Sequence, residues 1–140
     1  MAKYKKKLDA DIRCPLEYGL TIFGGKSGEY PQKLYKALMN SQTVLTVWDD
    51  ARLVGLIRVL DDSEMLAQIH YVLVHPEYQG QGIAGRMVEY IKEKYKNFMY
   101  LELMPEDKNN VPFYEKHGFS STEQTRANFN ATERLYRKIF

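Results

Sequence analysis

The amino-acid sequence predicts a mixed α/β fold in which an antiparallel meander feeds a β-α-β unit, and three observations carry that expectation. Three apolar runs, 43–48, 53–60 and 65–74, are separated only by the turns Asp49-Asp50 and Asp61-Asp62-Ser63, which is the spacing of hairpin-linked strands. The next segment, 82–96, changes period: Ile83, Met87, Ile91 and Tyr95 recur every fourth position, with Ala84 and Val88 beside them, the stripe of an amphipathic helix. An apolar run at 98–103 follows at once. Strand, helix and strand in that order predict two parallel strands joined by a crossover, hence a mixed sheet.

The remaining elements follow from local chemistry. With 140 residues the chain has the length of one domain, so 1–140 are expected to form a single domain with 1–28 as a less defined N-terminal arm and first strand. Residues 1–15 show no period, and Tyr18–Phe23 has the composition of a short strand closed by Gly24-Gly25. From Pro31 to Asn40, Leu34 and Leu38 with Tyr35 and Met39 share one helical face, and Pro31 suits a first turn. Val111–Lys116 reads as a short helix with Asn110 as its cap. Phe119–Gln124 and Thr132–Ile139 are expected to add two strands.

Composition excludes several classes of function. Hydrophobic residues make up 44% and charged residues 27%, with no apolar run approaching the roughly 20 residues of a membrane-spanning helix. One cysteine, Cys14, builds neither an internal disulfide nor a multi-cysteine metal site, so a reducing cytoplasm is the expected compartment and no metal is expected. The net charge of +2 is concentrated in Lys3, Lys5, Lys6 and Lys7, a solvated tail rather than a nucleic-acid surface.

The segment from Val74 to Gly85 is the richest in chemistry. Gly80, Gly82 and Gly85 open the strongest helix, where unpaired amides and the helix dipole suit a pyrophosphate. Gly80-x-Gly82-x-x-Gly85 also satisfies a dinucleotide fingerprint. In that unit the first glycine follows its strand almost directly, whereas the five residues His75 to Gln79 intervene here. A second glycine string, Gly24-Gly25-Lys26-Ser27, lacks the earlier glycine of a P-loop because Leu20 stands in its place.

Gln79-Gly80-Gln81-Gly82-Ile83-Ala84, preceded by a strand ending in Val74-His75-Pro76, resembles the cofactor signature of the GNAT N-acetyltransferase family. Phe113-Tyr114-Glu115-Lys116-His117-Gly118-Phe119 is similar to that family's second signature. The resemblance implies the acyl-CoA N-acyltransferase fold and acetyl-CoA as cosubstrate. The amides of Gly80, Gln81, Gly82, Ile83, Ala84 and Gly85, with Gln79, would hold the pyrophosphate, and the backbone of Val72, Leu73 and Val74 would pair with pantetheine. Tyr114 would be the general acid for the leaving thiolate, and a backbone amide near Leu73 or Val74, at a bulge, the oxyanion donor.

The proton acceptor stays open between Glu102, twelve residues before Tyr114, and His70 or Tyr71 on the strand expected to line the acetyl group. Glu102 is either a proton-accepting carboxylate beside a cleft or a surface glutamate. Asp107 stands where the family often has a cofactor-touching asparagine, for which Asn109 or Asn110 would substitute. His75 and His117 read as structural. The implied reaction moves an acetyl group to a primary amine, small or on a peptide or protein, by direct attack in a ternary complex. No nucleic acid and no membrane are expected as partners, and a homodimer through the C-terminal strands is an option. A non-catalytic acyl-CoA-binding sensor or interaction module of the same fold is the alternative. Arg13 to Lys26 also resembles the opening of HxlR-type winged-helix regulators, although Ser27 onward supplies no recognition helix or wing.

Overall fold

The computed structural model describes residues 3–6, 29–121 and 136–139. Its elements are β1 (Lys3–Lys6), α1 (Pro31–Met39), β2 (Thr43–Asp49), β3 (Arg52–Asp61), β4 (Leu66–Val74), α2 (Ile83–Lys94), β5 (Tyr100–Leu103), α3 (Val111–Lys116), β6 (Ser120–Ser121) and β7 (Tyr136–Ile139). They form one seven-stranded sheet ordered β1-β2-β3-β4-β5-β7-β6. β1/β2, β2/β3, β5/β7 and β6/β7 pair antiparallel, and β4/β5 pair parallel. The expected mixed sheet and the strand-helix-strand crossover are therefore present. The short strand expected at Tyr18–Phe23 lies outside the described residues, as do the Gly24–Ser27 turn and Cys14. The aperiodic start of the chain nonetheless contributes β1, which pairs Lys3–Lys6 with Leu45–Trp48.

The chain divides into two compact units, Met1–Val59 with Tyr71–Met87, and Leu60–His70 with Val88–Phe140. In the first, Leu34 and Leu38 of α1 pack with Val44, Trp48, Leu53 and Leu56, and Tyr35, Met39, Tyr71 and Leu73 lie against this cluster. Pro31 sits in the first turn of α1 as its fixed φ favours. Gly55, inside β3, decides how close the start of α2 comes to the sheet. A Cβ there would lie 3.1 Å from Cγ2 of Ile83 and 3.2 Å from Cβ of Val47, so only glycine lets the first residue of α2 settle on the strand.

In the second unit, Val88 and Ile91 of α2 and the following Tyr95 are buried, as are Ala67, Ile69, Leu101 and Leu103 on facing strands. The loop into β4 is organised by Asp62, whose Oδ1 accepts from the amides of Glu64, Met65 and Leu66 at 2.8–3.0 Å. Those donors hold its carboxyl below the usual carboxylate range. β5 begins at Tyr100 rather than at Phe98. The Phe98 amide donates to the Tyr95 carbonyl at 2.9 Å and its ring sits edge-on to Tyr95, so Phe98 stays in the helix exit. Asn110 occupies the N-cap position of α3 but makes no side-chain cap bond. Asp107 caps the preceding 3-10 turn instead, Oδ1 accepting from the Asn109 amide at 2.9 Å.

Replacing Gly55 by alanine forces a methyl group between backbone-fixed Val47 and Ile83. Gly55→Ala is expected to lose about 1–3 kcal/mol of stability, read as a lowered urea midpoint with an unchanged slope. A midpoint equal to that of the parent would show that α2 shifts freely on the sheet.

Candidate functional site

The five residues between β4 and the glycines are folded, not slack. His75 leaves the strand with its amide donating to the Val54 carbonyl at 2.8 Å, and Pro76–Tyr78 form a 3-10 turn. Nδ1 of His75 accepts from the Glu77 amide at 3.1 Å, so the residue caps this turn. The β2–β3 hairpin holds it from the other side. Arg52 bonds Glu77 at 2.9 Å, approaches Nε2 of His75 at 3.1 Å and stacks its guanidinium 5.7 Å from the centre of the Tyr78 ring. The Tyr78 hydroxyl donates to Asp49 Oδ2 at 2.5 Å, which raises the Tyr78 phenol above its ordinary value.

Gly80 and Gly82 follow, both at φ of 79°, a conformation that costs other residues roughly 1–2 kcal/mol. A Cβ at either would meet nothing within 4 Å; the backbone conformation, not crowding, demands glycine, and the space above the turn is open. The first intrahelical bond runs from the Arg86 amide to the Gly82 carbonyl at 3.1 Å. Gly82 is thus the N-cap, it carries no capping side chain, and the amides of Ile83, Ala84 and Gly85 precede the helix's own bonding. Two positive-φ glycines followed by three such amides and the positive end of the α2 dipole have the chemistry of an anion site. The side chain of Gln79 folds back, donating to the Val74 carbonyl at 3.3 Å. Val72, Leu73 and Val74 are half-buried.

On the other side of β4 the ladder with β5 runs Leu66–Tyr100, Ala67–Leu101, Gln68–Glu102 and Ile69–Leu103, and stops. β4 continues from His70 to Val74 beyond the last pair, leaving an edge of backbone groups outside that ladder. His70, exposed, is the first residue past the final pair. β2 carries a register irregularity at Val47/Trp48.

In the second unit Tyr114, on α3, is only 8% exposed, with its ring edge-on to Phe113 and Phe119. Burial pushes its phenol up to about 12, and the nearby Glu106 carboxylate adds to the rise. Glu102 faces Arg137 of β7, whose Nε donates to Oε1 at 2.7 Å and whose Nη2 donates to the same oxygen. Asn110 is exposed. His117 closes α3, its Nδ1 2.7 Å from Glu89 Oε1. Among the described residues no three His, Cys, Asp or Glu side chains are grouped to hold a metal ion. No helix of the described residues is long and apolar enough to cross a membrane.

Residues 16–119 match the acetyltransferase (GNAT) family. The chain belongs to that family. A relative from Bacillus methanolicus named an uncharacterized N-acetyltransferase is 34% identical over 117 residues, which cover 83% of this chain and 92% of the relative. Two other relatives named uncharacterized N-acetyltransferases are matched over only 52% and 34% of their own lengths. Among solved structures, a probable acetyltransferase from methicillin-resistant Staphylococcus aureus superposes with a TM-score of 0.72 at 28% identity, covering 93% of this chain and 98% of that one. A GNAT family acetyltransferase from Elizabethkingia anophelis with acetyl-CoA bound shares the fold at a TM-score of 0.71 and 16% identity, covering 99% and 98%.

In this member of the acetyltransferase (GNAT) family, several residues with structural roles were not singled out for those roles in the sequence. Gly55 carried a readable signal, an isolated glycine within a strand pattern. Arg52 and Arg137 carried none, and Asp49, legible as a turn residue, carried none for its contact, because the partners Glu77, Glu102 and Tyr78 lie 25, 35 and 29 positions away.

The high phenol value of Tyr114 has a direct consequence for stability. The folded value lies above the unfolded one near 10, so the contribution is complete below pH 10 and is lost as pH rises toward about 12. The parent is expected to lose about 3 kcal/mol across that window through this group, a loss absent in Tyr114→Phe. Denaturant midpoints at pH 9 and pH 11.5 for both proteins check this; parallel declines would show that Tyr114 ionises without opposing the fold.

Proposed function

We propose that this chain moves the acetyl group of acetyl-CoA to a primary amine by direct attack in a ternary complex. The observation that carries the reading is the cradle at the start of α2: paired positive-φ glycines, open space above them and amides with no helical acceptor. A diphosphate supplies the acceptors those amides lack. The β4 edge at Val72, Leu73 and Val74, beyond the end of the β5 ladder, supports the same reading, because an amide-bearing pantetheine chain is complementary to strand backbone where β5 leaves off. Asn110, free of a capping bond, is a further candidate contact on the cofactor.

In this mechanism the amine nitrogen attacks the thioester carbonyl carbon, the oxyanion is stabilised by an amide near Leu73 or Val74, and the C–S bond breaks as the thiolate departs. The amine's proton passes toward Glu102 or His70. Tyr114 serves the thiolate. Moving a proton from a phenol at about 12 to a thiolate of ordinary pKa near 8.5 is uphill by about 5 kcal/mol. The phenol therefore acts chiefly as a hydrogen-bond donor to the developing negative charge, with full transfer completed outside the site.

Thiol release from acetyl-CoA in the presence of an amine panel tests the reading. Tight acetyl-CoA binding with no thiol release for any amine would favour an acyl-CoA sensor instead. Tyr114→Phe is expected to lower kcat about 10–100-fold with KM for acetyl-CoA nearly unchanged. Gly82→Ala is expected to act oppositely, weakening acetyl-CoA binding about tenfold through strain at positive φ while kcat at saturation falls little. Calorimetric titration with coenzyme A reads the second effect directly, and an unaltered Kd would remove the glycine turn from cofactor binding.

A further inference from the structure

Glu102, a candidate proton acceptor, has a cationic partner on its own face of β5. Glu102 and Arg137 are register partners across β5 and β7, and both donating nitrogens of Arg137 converge on Oε1. The guanidinium also lies over the Tyr100 ring, 4.3 Å from its centre, a contact that fixes its plane. The pair is largely withdrawn from water, with side-chain exposures of 12% for Glu102 and 26% for Arg137. Across the parallel ladder, Glu102 pairs with exposed Gln68, one step before the last pair, Ile69–Leu103. His70 shares the face of Gln68 by strand alternation. Where β4 and β5 cease to pair, the sheet thus carries a carboxylate already compensated by a fixed guanidinium, beside an amide and an imidazole.

Resting on the acetyl-transfer reading, we infer that Arg137 determines acceptor specificity by cancelling the charge of Glu102, so that the site takes a weakly basic amine arriving uncharged, such as an aromatic amine, and not a polyamine. A half-buried carboxylate alone attracts an ammonium strongly, because little water screens it. A guanidinium bonded to the same carboxylate repels that ammonium from nearly the same distance and removes the gain, leaving the cation's desolvation unrepaid. A neutral amine needs no net charge. The Glu102 oxygen that Arg137 does not engage, Oε2, accepts its N–H, and the nitrogen lone pair stays available for attack.

Calorimetric titration of the coenzyme A-loaded protein with aniline and with spermidine tests this. The parent is expected to bind aniline more tightly than spermidine. Arg137→Gln exposes the carboxylate and is expected to tighten spermidine about tenfold or more while aniline changes less than about threefold. Glu102→Gln leaves the guanidinium uncompensated and is expected to weaken spermidine further; this second variant decides the matter if Arg137→Gln does not fold. Spermidine affinity unmoved by the substitution, or a parent that already prefers spermidine, overturns the inference. These titrations need no turnover, so absence of thiol release with every amine would sink the acetyl-transfer reading separately.

Discussion

Three amides at the start of α2, those of Ile83, Ala84 and Gly85, precede the helix's own bonding and must stay available for the signature turn to bind a diphosphate as proposed, and several contacts of the first unit hold the turn in that form. A helix start is ordinarily closed by a serine, threonine or aspartate side chain. Here the carbonyl that accepts the first helical bond belongs to Gly82, which has no side chain to offer. Gly55 lets Ile83 seat directly on the sheet, so these amides belong to a helix end anchored by packing instead of by a cap. The hairpin of β2 and β3 then grips the turn before the glycines through Arg52 and Asp49. The Arg52–Glu77 ion pair is exposed and individually weak, and the Tyr78–Asp49 hydrogen bond is part-buried. Together they remove the slack that five residues between strand and glycine would otherwise introduce, and a preorganised turn spends less entropy when it closes on a ligand.

How much of this was legible in the sequence follows from the range of each interaction. The helix at 82–96 and the turns at Asp49-Asp50 and Asp61-Asp62-Ser63 are written in residues a few positions apart, and they appear where the periodicity and turn chemistry place them. Positive φ at Asp50 and Ser63 fits the same turn logic. Element ends were less legible: Phe98 has a strand former's composition, yet a ring contact with Tyr95 keeps it in the helix exit. Asn110 has a capping residue's chemistry, yet Asp107 does the capping one turn earlier. In both cases a neighbour with equal local claim won on geometry that propensity does not encode.

The same division by range separates the two halves of the proposed chemistry. Cofactor-side groups, from Gln79 to Gly85, are contiguous, so a short motif suffices to find them. The groups proposed to meet the acceptor are brought together by strand register: Gln68 beside Glu102, and Glu102 beside Arg137. A one-residue slip of β7 would send Arg137 to the opposite face and leave the Glu102 carboxylate half-buried and unmatched. Register here is therefore an electrostatic specification as well as a packing one, and it lies in residues whose individual identities announce nothing.

Tyr114 shows how burial changes a role that residue type alone suggests. A solvent-exposed phenol near 10 would stand within about two units of a leaving thiolate, close enough for frank proton transfer. Surrounded by Phe113 and Phe119 and facing the field of Glu106, it sits at about 12. The environment that disfavours phenolate keeps the hydroxyl a constant donor across the whole range in which an amine can be neutral and reactive. A donor that never ionises adds no upper limit to the pH profile, and the protonation state that governs rate is left to the acceptor amine and the groups around Glu102. In the proposed reaction, the apolar packing of α3 thus shifts control of the pH dependence from the leaving-group side to the attacking side.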